Sequence, residues 1–473
     1  MVKATLRSAV LLGIAAVSVF TASVPSFAEV QNVKVGGDVT VRAFHRENLD
    51  LQDESGGLDS TDDFLMSTVG VNVGADLTEN VSTFIRLANE RDWDNDNGSS
   101  NTDDGDFDLS QAYITLKELF YSPLTLRVGT QPIVWGRGFV LGSALIPTVF
   151  GGNDRNTAIT ANEFTEFTAF DAVRATLDLS QVTGNMPVSA DYVYIKLDEN
   201  TSGTPDDVNL QGVNFSTKLD AANTELEAYF LHKRDESGST VNINKNGNVS
   251  TVGVRGSAMP SEGLSTWAEA AYQWGRRASD PDVGTTVAAP LGSPFQAWAF
   301  NLGAEFGFTD VAMTPKVGAE WIFWSGKDSD GSIAGWDPIA RSYFTTAIRE
   351  FQTANGSGFY GTSQPGDTSA ATNQNQVSFW GGISPVEDLQ ATSRLSLFWQ
   401  HIGAVPHAAD TGVRTDGQRN GYAGTEWDNQ LVYDYTDDVQ LGFLYGIFFP
   451  GSIYRTQFDA TAQELVTTVS VKF

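Results

Sequence analysis

Near its end the chain reads Gln430-Leu431-Val432-Tyr433-Asp434-Tyr435, then an acidic turn, Thr436-Asp437-Asp438, then Val439-Gln440-Leu441-Gly442-Phe443-Leu444-Tyr445-Gly446-Ile447-Phe448-Phe449. It closes on Leu465-Val466-Thr467-Thr468-Val469-Ser470-Val471-Lys472-Phe473. These are three strands, the first two joined by a tight turn and the last two by a longer loop. Each approaches the roughly 9–11 residues that cross a bilayer when tilted.

Working back toward the N-terminus, the same unit repeats. Strands are expected over 33–45, 65–77, 81–91, 109–119, 124–133, 169–179, 187–197, 208–219, 224–233, 249–259, 264–276, 296–308, 314–325, 376–384 and 389–402. The second shows the period of two plainly, with Val69, Val71, Val73, Ala75 and Leu77 on one face. Short turns such as Thr78-Glu79-Asn80 alternate with longer polar connections. The pattern predicts an all-β transmembrane antiparallel β-barrel of about 18 strands, with short periplasmic turns and long extracellular loops. An even strand count places both termini on the periplasmic side. A soluble β-helix or sandwich is the alternative. Aromatic residues on or near the strands, including Trp267, Trp298, Trp321, Trp324, Trp380, Trp399, Trp427, Tyr433 and Tyr435, favour the barrel if they form interfacial girdles.

Lys3 and Arg7 precede an apolar run, and Ser26-Phe27-Ala28 has the form of a cleavage site. Residues 1–28 are therefore expected to be a signal peptide and 29–473 a single barrel domain. The expected location is the outer membrane of a Gram-negative-type bacterium, with outer-membrane lipid and lipopolysaccharide around the wall. The C-terminal strand ending at Phe473 is expected to engage the barrel-assembly machinery. The chain has no cysteine, which excludes disulfide staples and thiolate chemistry. The net charge of −29 argues against nucleic acid as a partner. Four histidines and no hydrolase or phosphate-loop motif speak against an enzyme, and no cofactor is expected.

Two stretches carry a family resemblance. One is Gly424-x-Glu426-x-Asp428 with Phe448-Phe449-Pro450-Gly451. The other is Leu126-Arg127-Val128-Gly129-Thr130-Gln131 leading into Gly136-Arg137-Gly138. Together they resemble the alginate export family of outer-membrane barrels, in which Gly-Arg-Gln usually stands where this chain has Gly129-Thr130-Gln131. The resemblance implies an 18-stranded barrel and export of a polyanionic polysaccharide through an arginine-lined lumen.

Strand parity by itself turns Arg42, Arg86, Arg127, Arg174, Arg255 and Arg394 inward, because a mid-depth arginine facing lipid costs about 2–4 kcal/mol. A guanidinium ladder would bind carboxylates bidentately at several weak sites. Asp38, Glu90, Glu227, Glu269, Glu320, Glu426 and Asp428 share the inward face, so an ordinary bracing network is the competing reading. The long connections near 134–168 and 326–374 have room inside a wide barrel. If the first folds inward, Arg137 and Arg155 reach a constriction; otherwise it caps the outer mouth. The Asp92, Asp94, Asp96 loop resembles a calcium loop, but its glycine comes one place late, and a solvated loop is the plainer reading. The expected function is a porin-like channel for hydrophilic, anionic solutes, with an acidic polysaccharide of the alginate type as one case. The alternatives are a general small-solute porin and a surface or adhesion barrel with a plugged lumen.

Overall fold

A computed structural model describes residues 32–49, 51, 61–93, 107–121, 123–143, 161–184, 186–198, 207–236, 247–276, 294–326, 333, 335–350, 372–401, 421–452, 454 and 459–473. The expected signal peptide and Arg155, Asp94 and Asp96 lie outside the described residues.

The strands are β1 (Asn32–Glu47), β2 (Thr61–Thr78), β3 (Val81–Asp92), β4 (Asp108–Leu116), β5 (Leu124–Gln131), β6 (Phe170–Asp178), β7 (Val188–Asp198), β8 (Val208–Leu219) and β9 (Thr224–Asp235). They continue as β10 (Gly247–Ser261), β11 (Leu264–Arg276), β12 (Pro294–Gly307), β13 (Lys316–Trp324), β14 (Gln374–Val386), β15 (Leu389–Gln400), β16 (Tyr422–Thr436), β17 (Val439–Pro450) and β18 (Ala462–Lys472). Each pairs antiparallel with its sequence neighbours, and β18 pairs with β1, so the 18-stranded sheet closes. Closure leaves no unpaired edge, which a bilayer requires of any strand that crosses it. No described helix is long and apolar enough to cross a membrane.

Register assigns the faces, because residues directly opposite in a pair share one. Asn72 pairs with Arg86, Thr115 with Arg127, Arg127 with Arg174, Glu227 with Arg255 and Arg394 with Asp428. The opposite parity carries the exposed apolar side chains, among them Val73, Ile85, Leu226, Trp298, Leu395 and Phe443. The girdle expectation needs correction for three tryptophans. Trp267 faces inward opposite Gly303, Trp380 opposite Gly318, and Trp324 is completely buried inside the barrel. Their parity matches Glu269, Ser378 and Glu320, not the apolar face.

The extracellular half of the lumen is filled by the connections themselves. After β5 the chain turns inward, and Leu141 forms a parallel bridge with Ala340 of the β13–β14 connection. Ser342 N–H donates to the Gly138 carbonyl at 2.8 Å. Ile133, Trp135, Phe139, Leu141, Trp336 and Ile339 pack on Val193, Ile195, Leu210, Leu231 and Ile322 of the wall. This explains why the inward residues Val193, Ile195, Leu210 and Leu231 are apolar where an open lumen would carry polar side chains: the docked connections cover them.

The family-motif residues are architectural. Gly129 sits at φ +124°, and a Cβ there would fall on the Ala112 carbonyl oxygen. Buried Gln131 donates through its amide to the Arg127, Gly129 and Ala172 carbonyls at 3.3, 3.2 and 3.0 Å. Gly424 lies at φ +139°, where the β15–β16 register shifts, with its missing Cβ directed at the Phe449 carbonyl. The two aromatic residues of the Phe448-Phe449-Pro450-Gly451 motif take opposite faces. Phe449 faces out, whereas Phe448 is fully buried in the lumen against Phe398 and Tyr454. Pro450 ends β17 opposite Gly424, and Gly451 N–H donates to the Ala423 carbonyl at 3.0 Å.

Candidate functional site

All six strand arginines face the lumen, but most are neutralised there. Arg86 holds Asp38 at 2.8 and 3.0 Å, Asn72 at 2.8 Å, and Glu166 of the β5–β6 connection. Arg174 pairs with Asp191 at 2.9 Å, and Arg255 with Glu227 at 2.7 Å and Glu225 at 3.5 Å. Arg394 stands 3.8 Å from Glu320, with its guanidinium 4.3 Å over the Trp380 ring. Arg42 donates to Thr68 and lies 4.7 Å over Phe164, and Arg127 donates to Thr115 and lies 4.6 Å over Tyr113. Among the described residues, Arg42, Arg127 and Arg137 form no ion pair.

Arg137 is brought inside by its neighbours. Gly136 at φ +59° and Gly138 at φ +75° turn the chain back on either side of it. Side chains at these glycines would meet Arg255 and Ser342. Gly136 N–H donates to Glu227 at 3.0 Å. The Arg137 guanidinium then lies 4.2 Å over Trp267 and 4.8 Å over Tyr343, and donates to the Tyr343 hydroxyl at 2.8 Å. Burial and the Glu320 carboxylate push the Tyr343 hydroxyl above its ordinary pKa, so it stays a neutral donor.

Below this roof lies a cavity of about 570 Å³ that reaches Asn223 and Met259 at the periplasmic turns. Arg137, Arg255, Lys316 and Arg394 line it, against Glu225 and Glu305. Trp267 and Trp380 stack with centroids 6.2 Å apart, each capped by a guanidinium. Their indole N–H groups are held by Asn301 at 2.8 Å and Glu305 at 2.7 Å. The ring faces are thus occupied in fixing two guanidinium planes, a cation–π contact worth about 0.5–2 kcal/mol each. What remains for a solute is a set of oriented N–H edges suited to carboxylate or phosphate oxygens. Sequence reasoning missed Trp267, Trp380, Lys316 and Tyr343 as lining residues. The parity of the first three could have revealed them; Tyr343 sits on a connection, where parity carries no information.

Three segments dock inside the extracellular half of the lumen, two of them held by buried charge. Residues 161–169 dock on β1 to β3: Arg46 pairs with Glu163 and with Glu464 at 2.7 Å, while Glu90 accepts from Thr165 at 2.9 Å and from Glu166 N–H. Burial pushes the Glu166 carboxyl above the usual carboxylate range, against the pull of Arg86. Residues 336–350 dock further round. Asp337 pairs with Lys233, Glu426 accepts from Ile348 and Arg349 N–H at 2.6 and 3.0 Å, and Arg349 donates to Tyr454 at 2.8 Å. Residues 132–143 lie between.

Arg86→Ala would leave Asp38 and Glu166 facing each other without their cation, a loss of about 3–5 kcal/mol for a broken buried pair. The expected result is release of residues 161–169, seen as new protease cleavage there, while the barrel keeps its resistance to sodium dodecyl sulfate. Unchanged protease resistance would contradict this.

Asp92 closes β3 as a buried, inward-facing residue opposite Met66. Among the described residues no three His, Asp or Glu side chains are grouped to hold a metal ion.

The family model described as alginate export matches residues 31–468. No curated protein sequence matches the chain. Among solved structures, OccK9 (OpdG) of Pseudomonas aeruginosa aligns at 11% identity and TM-score 0.54, over 94% of this chain and 99% of that one. OccAB2 of Acinetobacter baumannii aligns at 11% identity and TM-score 0.51, over 94% and 99%. A BenF-like porin from Pseudomonas fluorescens aligns at 10% identity and TM-score 0.50, over 94% and 100%. At these identities the structural likeness speaks for the fold alone.

Proposed function

The chain belongs to the alginate export family and is an outer-membrane β-barrel channel, and we propose that its lumen passes hydrophilic anionic solutes, acidic sugars of the alginate type among them. The observation that carries this reading is Arg137. It is a cation without a carboxylate partner among the described residues, clamped between Trp267 and Tyr343 at the roof of the periplasmic cavity. A narrow, low-dielectric passage focuses the field of such a charge and raises the local anion concentration. Arg42 and Arg127, also unpaired within the described wall, extend the path toward β1 and β5. Arg86, Arg174 and Arg255 brace the wall with their carboxylates, so the ladder acts through fewer rungs than six. Arg155 stays a candidate for the same constriction on sequence grounds.

The docked segments favour a second reading, a porin for small solutes without a polysaccharide role, because they fill the extracellular half with packed apolar side chains.

Planar-bilayer recordings of the purified protein test both. The anionic reading expects a reversal potential on the anion-selective side in a salt gradient, with block by uronic-acid oligomers. Block by the monomer alone supports the small-solute reading, and cation selectivity overturns the anionic one.

A further inference from the structure

Residues 161–169 dock on more acid than the wall beneath them neutralises. The segment brings Glu163 and Glu166 to a cluster that already holds Asp38 of β1, Glu90 of β3 and Glu464 of β18. These five carboxyls meet three guanidiniums. Arg46 is shared between Glu163 and Glu464, and Arg86 between Asp38 and Glu166. Arg42 lies over Phe164. Glu90 accepts from two neutral donors, the Thr165 hydroxyl and Glu166 N–H, and forms no ion pair among the described residues. The neighbouring strands add further acids. Asp62 of β2 stands opposite Arg46, Asp92 closes β3, and Asp108 of β4 faces in opposite Ala88. Beyond Glu464 stand Asp428 and Glu426 of β16, with Arg349 of the neighbouring docked segment.

An excess of negative charge in a space mostly shut off from water is relieved by protons. Glu163 and Glu166 are where the geometry leaves room for them. Oε2 of each is buried without a hydrogen-bond partner among the described residues, and an ionised oxygen would need one. Burial holds both carboxyls above the usual carboxylate range, against the pull of Arg46 and Arg86. The apolar anchor here is small, Ala161 and Phe164 against Phe44, Met66 and Val466, whereas residues 132–143 sit in a far larger cluster. Charge therefore weighs heavily in whether residues 161–169 stay docked.

We propose that residues 161–169 are a proton-operated gate over the β1–β3 side of the lumen, docked while the acid cluster holds its protons and lifted when the cluster ionises. Lifting carries Glu163 and Glu166 into water, where both are ionised at neutral pH, so docking takes up protons. The direction follows. Docking is strongest below the ordinary carboxylate range and is lost as pH rises through the raised values of the docked acids. Across that window, each proton released on lifting multiplies the lifted population about tenfold per pH unit. The arginines keep their charge throughout, so they hold the segment without setting the pH at which it lifts.

The chain has no cysteine, so a nitroxide on Thr168→Cys reports this segment alone in the full-length barrel reconstituted in lipid. From about pH 5 to about pH 8 the mobile fraction of the label should rise about tenfold or more, and single-channel conductance should rise with it. Glu90→Gln keeps an acceptor for Thr165 and takes one charge from the cluster. It should lower the mobile fraction at the alkaline end about tenfold. The label reads docking itself, so its result stands apart from whether the lumen selects anions. Heat modifiability checks assembly, and if Glu90→Gln fails to assemble, the pH response of the labelled chain decides alone. A mobile fraction that is flat or falls as pH rises, release without any rise in conductance, or an unaltered response in an assembled Glu90→Gln barrel would each overturn the proposal.

Discussion

Glu426→Ala is expected to open the lumen. The Glu426 carboxylate, completely buried on β16, accepts from the backbone N–H groups of Ile348 and Arg349. Neither donor has solvent to turn to, and each buried N–H left unmet costs about 1–3 kcal/mol. Every 1.4 kcal/mol lost lowers the docked population about tenfold. Arg349, whose guanidinium lies 4.9 Å from the Phe398 ring centroid and 5.3 Å from that of Phe448, loses its backbone anchor at the same time. The strands do not depend on this contact, because β16 keeps its full ladders to β15 and β17. Single-channel conductance should therefore rise while the barrel stays intact, and residues 345–350 should become cleavable by added protease. Glu426→Gln keeps one acceptor oxygen and should fall between. Unaltered conductance and protease resistance in Glu426→Ala would mean that the segment is held by its apolar contacts alone.

The second large effect is expected at Arg137. Removing one unit charge about 5 Å from a passing anion changes its energy by about 0.8 kcal/mol even at the dielectric of bulk water, which is about fourfold in local concentration. The confined cavity raises that figure. Arg137→Gln should lower the anion-to-cation permeability ratio about fourfold, and Arg137→Gln with Arg394→Gln by about tenfold or more. The shift should shrink at high salt, as screening shortens the reach of the remaining charges. Arg234→Gln is the control, since Arg234 is solvent-exposed beside Glu236 at the extracellular end of β9. Reversal potentials in a potassium chloride gradient give the ratio. Equal shifts in the control and in Arg137→Gln would remove Arg137 from the conduction path.

The two effects separate the lumen into parts with different physics. The docked segments are held by buried carboxylates that must keep their donors, so substitutions there change how much of the lumen is open. The periplasmic cavity presents cations fixed on aromatic rings, so substitutions there change what passes. Arg86 links the two: it is a lumen-facing cation whose charge is consumed in holding residues 161–169.

Much of the wall was legible in the chain because a strand that separates lipid from water writes its period of two into every residue. Val69 to Leu77 show it directly, and the same parity turned all six arginines inward. The glycine and glutamine of Gly129-Thr130-Gln131 and the Gly424 motif were legible as family signature, though their work as a bulge and a cap was not. The girdle tryptophans were misread where aromatic type was allowed to outweigh parity: Trp267 alternates with polar Glu269 and Ser265, and its indole belongs to the cavity.

By itself, then, the sequence determined an 18-stranded closed sheet, the side of its termini and the inward face of each strand, because strand length, alternation and turn length are local quantities. Only the tertiary structure decided which inward charges remain free. Asp38, Glu163, Glu166, Asp191, Glu227 and Glu464 are distant in sequence from most of the cations they meet, and two of these pairs, Arg46–Glu163 and Arg86–Glu166, join a connection to a strand. Whether an arginine lining a pore attracts a solute or merely braces a wall is set by the carboxylate that closure of the ring brings beside it, and no periodicity along the chain records that distance.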